Sequence, residues 1–193
     1  MKTTEKLSIE EMLDILTNYF GVHPNIPEDF FDYDFNCKNY KTIISKIKNR
    51  MGLNNKIKII CYESDVYPCN DDVKSPARIL IPSNVPMIGT RMFKDTTITI
   101  EIKNRTRKNI NIFTVSICHE LSHLVLHGVN HELKLSEKAT DLCVMIFGFS
   151  NFVEKSKDIP LINIGNMCFS ISMGYLSKEE ISTAIAYLKS KRQ

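Results

Sequence analysis

Residues 112–127 read Ile-Phe-Thr-Val-Ser-Ile-Cys-His-Glu-Leu-Ser-His-Leu-Val-Leu-His, and Gly128 follows. Apolar residues dominate the run, so the pattern predicts a helix buried on most sides, with the glycine as its stop. Ser116, His119, Glu120, His123 and His127 interrupt that pattern. At about 100° per residue they share an arc of roughly 100°, one narrow polar stripe. Polar groups on a buried helix need partners, and a metal ion satisfies imidazole nitrogens directly. His119 and His123, one turn apart, can both reach one ion at the ~2.0–2.1 Å of a zinc–imidazole bond. Glu120 then points beside the ion rather than at it. That is where a general base can take a proton from the attacking water and later pass it to a leaving amine.

Working outward, residues 96–103 (TTITIEIK) give the cleanest strand. Ile98, Ile100 and Ile102 face one way; Thr97, Thr99, Glu101 and Lys103 face the other. Shorter strand-like runs occupy 56–62, 77–81 and 85–88, the last two punctuated by proline. Residues 104–109 form a basic, polar turn before the metal helix. A strand at 96–103 beside a catalytic helix has two readings: an edge along which a substrate strand adds, or an ordinary interior strand.

Helices flank this centre. Ser8 and Glu11 make a capping box ahead of Ile9, Met12, Leu13, Leu16, Tyr19 and Phe20, with Gly21 as a stop. A Pro- and Asp-rich link over 23–36 leads to a second helix with Tyr40, Ile43, Ile44, Ile47 and Met51 on one face. Ser136 can cap a helix to about residue 147, and a second capping box, Ser177 with Glu180, opens a last helix to about residue 190. Helices, then strands, then helices predict an α+β fold: a small mixed or antiparallel sheet packed against helices, with the His119–His123 helix buried and more helices at the C-terminus. We expect a single domain over 1–193, with a helical part at 1–55, a sheet and catalytic core at 56–150 and a helical part at 151–193.

Composition narrows the function. The formal net charge is +3, from 25 basic and 22 acidic residues. So small an excess offers no basic face for direct nucleic-acid binding. No apolar run approaches the ~20 residues that cross a bilayer, and the amphipathic N-terminus does not read as a signal peptide. The expectation is a cytoplasmic protein with no membrane contact. No Cys-x-x-Cys pair occurs, so the six cysteines are expected as reduced, mostly buried thiols, with Cys118 and Cys143 packing as small apolar groups.

A catalytic zinc takes a third protein ligand. Glu137 is the expected one. It lies in the first turn of the next helix, where the helix dipole favours a carboxylate. His131 and Glu132 in the intervening loop are the alternatives, and His127 at i+8 is too far along a straight helix. Asp141, one turn after Glu137, is placed to accept a hydrogen bond from a ligand histidine, His119 being the expected donor. His127 is a candidate for orienting substrate or stabilising an oxyanion, against the plainer role of a histidine at a helix end. Tyr62, Tyr67 and Tyr175 could also donate to an oxyanion, and nothing in the sequence selects one. His23, before Pro24, reads as surface.

His119-Glu120-Leu121-Ser122-His123-Leu124-Val125-Leu126-His127, followed by Glu137-Lys138-Ala139-Thr140-Asp141, resembles the ImmA/IrrE family of metallopeptidases. The chain departs from that pattern at Ser122, where glycine is common, and at Thr140, Cys143 and Val144. Leu126 and Val129 stand where the longer metzincin pattern needs glycine and histidine. The resemblance implies a cytosolic endopeptidase with one Zn²⁺ per chain, acting on a protein or peptide substrate, often a transcriptional repressor. The alternative is a non-catalytic module that uses zinc to stabilise its fold and binds a partner protein.

Overall fold

The expected strand at 96–103 forms as β3 (Thr97–Lys103) and lies in the middle of a three-stranded sheet, between β1 (Lys56–Tyr62) and β2 (Ala77–Leu80). The structure is a computed structural model that describes residues 7–62, 76–82, 84–157, 159–164, 167–171 and 174–192, the backbone alone for 159–164 and 167–171. β1 runs parallel to β3, with Lys56 opposite Thr97 and Tyr62 opposite Lys103. β2 runs antiparallel, with Ala77 opposite Ile102 and Leu80 opposite Thr99. The sheet is therefore mixed, and β3 is interior, with β1 and β2 as the outer strands among the described residues.

Ile98, Ile100 and Ile102 enter the core, as their alternation predicts. The opposite face is less open than expected, because Glu101 and Lys103 are buried too. A buried carboxylate needs partners, and Glu101 has them: the Tyr62 hydroxyl donates to it at 2.6 Å and the Arg78 guanidinium pairs with it. Residues 85–88 form no strand. Pro82 and Pro86 remove two ladder donors, and the Ile88 N–H donates at 2.9 Å to the Gly128 carbonyl instead. That bond satisfies a carbonyl at the end of the helix that carries His119 and His123.

Helices pack around the sheet. α1 (Ile9–Phe20) opens with the Ser8–Glu11 capping box. The link expected at 23–36 contains a short α2 (Asp32–Asn36), and α3 (Tyr40–Arg50) follows. α4 (Arg91–Asp95) is one turn capped by Thr90. The basic loop at 104–108 is a 3-10 turn. It ends on Asn109, whose side chain accepts from the N–H groups of Asn111 and Ile112, so that α5 spans Ile110–Gly128. α6 (Glu137–Val144) starts at Ser136 as predicted, but the chain does not stop near 147. It passes through a π-helical turn (Met145–Phe149) into α7 (Ser150–Lys155).

Gly148 makes that turn possible. Its φ is +95°, and a Cβ there would lie 2.3 Å from the Pro24 carbonyl oxygen. The close approach lets the N–H groups of His23 and Ile26 donate to the carbonyls of Ile146 and Gly148 at 3.0 and 2.9 Å. His23 is consequently less open than a free surface loop residue. It is half-buried with its ring 5.0 Å from Phe147, and burial, helped by Arg50, lowers its pKa.

The segment 151–193 is not purely helical. β4 (Ile159–Ile164) and β5 (Met167–Ile171) pair as an antiparallel hairpin before α8 (Lys178–Lys191), which carries the second capping box. Leu13, Ile47, Phe113, Leu121, Phe149 and Leu188 are fully buried in one continuous core; each such side chain contributes about 1.5–3 kcal/mol over exposure. Cys118 and Cys143 are in that core, whereas Cys37 and Cys61 are exposed, so the thiols are less uniformly buried than expected. Cys69 and the side chain of Cys168 lie outside the described residues. No helix among the described residues is long and apolar enough to cross a membrane.

Candidate metal centre

α5 is buried along nearly its whole length, with His119 and His123 facing α6. Three atoms converge between the two helices. His119 Nε2 and His123 Nε2 are 3.2 Å apart. Glu137 Oε2 lies 3.2 Å from the first and 3.3 Å from the second. In a tetrahedral shell with bonds of ~2.0–2.1 Å, ligand atoms stand about 3.3 Å from one another. The near-equilateral triangle is thus one face of such a tetrahedron. Glu137 Oε2 is also a buried carboxylate oxygen with no hydrogen-bond partner. A buried anionic oxygen left that way costs stability, and an ion on the triangle's axis would remove the deficit. Two imidazole nitrogens and one carboxylate oxygen suit zinc, so the residues fit the metal.

Local structure aims each ligand. Ser136 caps α6 by accepting from the Ala139 N–H at 3.2 Å, which sets Glu137 at the first helical position, amid the unpaired amides and positive dipole of the helix start. The i, i+4 spacing on α5 supplies both imidazoles. Coordination through Nε2 requires the proton on Nδ1, and both Nδ1 atoms have an acceptor. His119 Nδ1 donates to Asp141 Oδ1 at 2.8 Å. His123 Nδ1 lies 3.4 Å from the Thr140 hydroxyl oxygen, and that hydroxyl donates to the Ser136 carbonyl at 3.1 Å. One turn of α6 therefore orients both histidines.

Electrostatics follow from burial and charge. Burial alone would lower the His119 pKa, but the carboxylates of Asp141 and Glu137 beside it outweigh burial and raise it to about 10. The same two histidines hold the Glu137 carboxyl far below the usual carboxylate range. Glu120 is 8% exposed, and burial raises its pKa. His119, His123 and the backbone N–H of Ile79 in β2 pull the other way. Glu120 thus interacts both with the two histidines and with the Ile79 backbone of β2.

The other sequence candidates are placed elsewhere. His127 is one turn past His123, half-buried, and its pKa is lowered by burial first and then by the nearby Lys134 ammonium. It does not join the converging ligand atoms, and neither do His131 or Glu132. His131 is buried against Phe20 and Tyr19, and its Nδ1 accepts from the Leu133 N–H at 3.1 Å. Tyr62 is engaged with Glu101, and Tyr67 lies outside the described residues.

Thr140 and the Gly174–Tyr175 turn are not expected from the sequence beside the two histidines, although Tyr175 is one of the three tyrosines named as oxyanion candidates. Tyr175 N–H donates to Asp141 Oδ2, and its ring stacks on His119 with centroids 5.8 Å apart and planes at 22°. Gly174 has φ +79°, and a Cβ there would meet Asp141 Oδ2 at 2.6 Å. The Lys157 ammonium donates to the Gly174 carbonyl at 3.2 Å. Only the hydroxyl of Thr140, one residue before Asp141, was a readable signal; the Gly174 turn returns from far along the chain.

Comparisons of the chain with family models, with curated proteins and with solved structures found no match.

Proposed function

We propose that this protein is a zinc-dependent endopeptidase. The observation that carries the reading is the triangle of His119, His123 and Glu137 with a buried carboxylate, Glu120, adjoining it. Among the described residues three protein donors converge, rather than four, which is the pattern of a hydrolytic zinc site that keeps one position for water or substrate. When bound, the metal supplies Lewis acidity that polarises the scissile carbonyl and acidifies water. Glu120 takes the proton of the attacking water and returns it to the departing amine. Asp141 and Thr140 hold the ligand imidazoles in the tautomer that leaves Nε2 free to coordinate.

The likeness of 119–127 and 137–141 to the ImmA/IrrE pattern supports a cytoplasmic role and a regulatory protein, such as a transcriptional repressor, as substrate. A zinc-stabilised partner-binding module would use the same ligands but gives Glu120 no task.

Elemental mass spectrometry on protein purified without added metal or chelator tests the centre, with about one zinc per chain expected. Labelled casein tests turnover. Glu120→Gln should keep the zinc and lose cleavage by at least about 100-fold. Cleavage by that variant at the wild-type rate would overturn the mechanism, and zinc without any cleavage by the wild-type chain would favour the partner-binding module.

A further inference from the structure

Arg50 and Arg192 converge on one short stretch of backbone. Arg50 Nη2 donates to the Pro24 carbonyl, and its Nε donates to the Phe147 carbonyl at 2.9 Å. Arg192 Nε donates to the neighbouring His23 carbonyl at 3.0 Å. A guanidinium drawn partly out of water ordinarily meets a carboxylate or another anion. Here every acceptor is a neutral carbonyl, and no carboxylate pairs with either arginine among the described residues. Arg192 Nη2 is closed off from solvent and has no hydrogen-bond partner. Burial first, and then the positive charge of Arg50, lowers the pKa of both His23 and Arg192. The cluster therefore carries positive charge that nothing beside it neutralises.

A cavity of about 470 Å³ opens against Arg50 and His23. That size falls within the ~300–1,000 Å³ of small-molecule sites. Its other walls are mainly apolar, with Phe20, Val125, Val129 and Phe147 among them. A cation at one side and hydrocarbon on the rest is the lining that a small amphipathic anion needs. The cavity is separate from the candidate metal centre. Val125 is two residues past His123, about 200° around α5 from it, and none of His119, Glu120, His123 or Glu137 lines the cavity.

We propose that this cavity binds a small organic anion, its carboxylate, sulfonate or phosphate group held at Arg50 and its apolar body packed against Phe20, Phe147 and the two valines. The anion supplies the charge that the two guanidiniums lack, and its body takes the apolar walls out of water. The proposal stands independently of the peptidase reading.

The test uses two fluorescent probes, 8-anilinonaphthalene-1-sulfonate and N-phenyl-1-naphthylamine. They share one ring system and differ by the sulfonate. We expect the wild-type protein to bind the sulfonate at least about 10-fold more tightly than the neutral amine, as a charge-assisted hydrogen bond gives. Arg50→Gln should erase that preference and leave the affinity for the amine unchanged, while Arg50→Lys should keep most of it. Val129→Phe fills the cavity without altering a charge, and should weaken both probes by about 10-fold or more.

Equal affinity of the wild type for the two probes, or no binding of either, would overturn the proposal. A preference for the sulfonate that survives Arg50→Gln, or binding to Val129→Phe as tight as to wild type, would put the probe elsewhere and overturn it too. Arg50 also ties Pro24 to Phe147, so urea midpoints of its variants are compared first. Should Arg50→Gln fail to fold, the wild-type preference and the loss in Val129→Phe decide the matter.

Discussion

Nδ1 of His119 and Oδ1 of Asp141 stand 2.8 Å apart across the gap between α5 and α6. The carboxylate accepts from the imidazole while its other oxygen accepts from the Tyr175 amide. Removing it would leave His119 free to rotate and a backbone donor without its partner. Asp141→Ala should weaken zinc binding about 10–100-fold, read by competition with a chromophoric chelator. Affinity within a factor of two of wild type would show that Asp141 does not orient the ligand.

His123 has a weaker support. Its Nδ1 is 3.4 Å from the Thr140 oxygen, longer than an ideal hydrogen bond. Thr140→Val preserves shape and removes the acceptor. The expected loss of zinc affinity lies near the lower end of the same range, about 10-fold, and Thr140→Ser should restore most of it. A valine variant indistinguishable from wild type would leave the hydroxyl a local role only, its bond to the Ser136 carbonyl.

Protons should be released when the metal binds. In the metal-free protein the His119 pKa is raised to about 10, so the imidazole is protonated at pH 7.5. Coordination requires Nε2 to be neutral. Zinc binding should therefore expel about one proton from His119, measured as the slope of calorimetric enthalpy against buffer ionisation heat. The sign for stability follows from the same shift. A raised folded pKa stabilises the metal-free protein fully below about 6.5, the unfolded value, and that contribution is lost as pH rises through about 10. Urea midpoints of metal-free protein should fall over that interval. A binding enthalpy independent of buffer would contradict the charge state assigned to His119.

The π-helical turn depends on a glycine. At Gly148, φ is +95° and a Cβ would strike the Pro24 carbonyl oxygen. Gly148→Ala should destabilise the fold by about 2–3 kcal/mol, seen as a lower urea midpoint with an unchanged slope. A neutral outcome would mean that the 23–26 segment can move away without cost.

How much of this was readable before folding depends on how local each relationship is. The two histidines and Glu120 follow from one helical period, and Glu137 and Asp141 from a capping serine and another i, i+4 step. Those five need only α5 and the start of α6. The alternation of Ile98, Ile100 and Ile102 likewise marked a core-facing strand face. The position of β3 within the sheet was not readable, because parallel pairing with β1 joins segments far apart in sequence. Burial of Glu101 depends on Tyr62 and Arg78 arriving from two other strands, and burial of His23 on a glycine turn more than a hundred residues later. Tyr175 belongs to the same class: no pattern around it announces His119, and contact is made only when the C-terminal turn closes on α6.

That closure makes Gly174 matter to chemistry in which it has no donor, acceptor or charge of its own. With φ at +79° and Asp141 Oδ2 where its Cβ would be, any side chain there pushes on the carboxylate that steadies His119. A scan for lost zinc uptake should therefore score this position alongside the ligands, while a scan for lost folding alone would rank it as one more turn glycine. On the proposed reading, metal affinity is partly encoded as empty space.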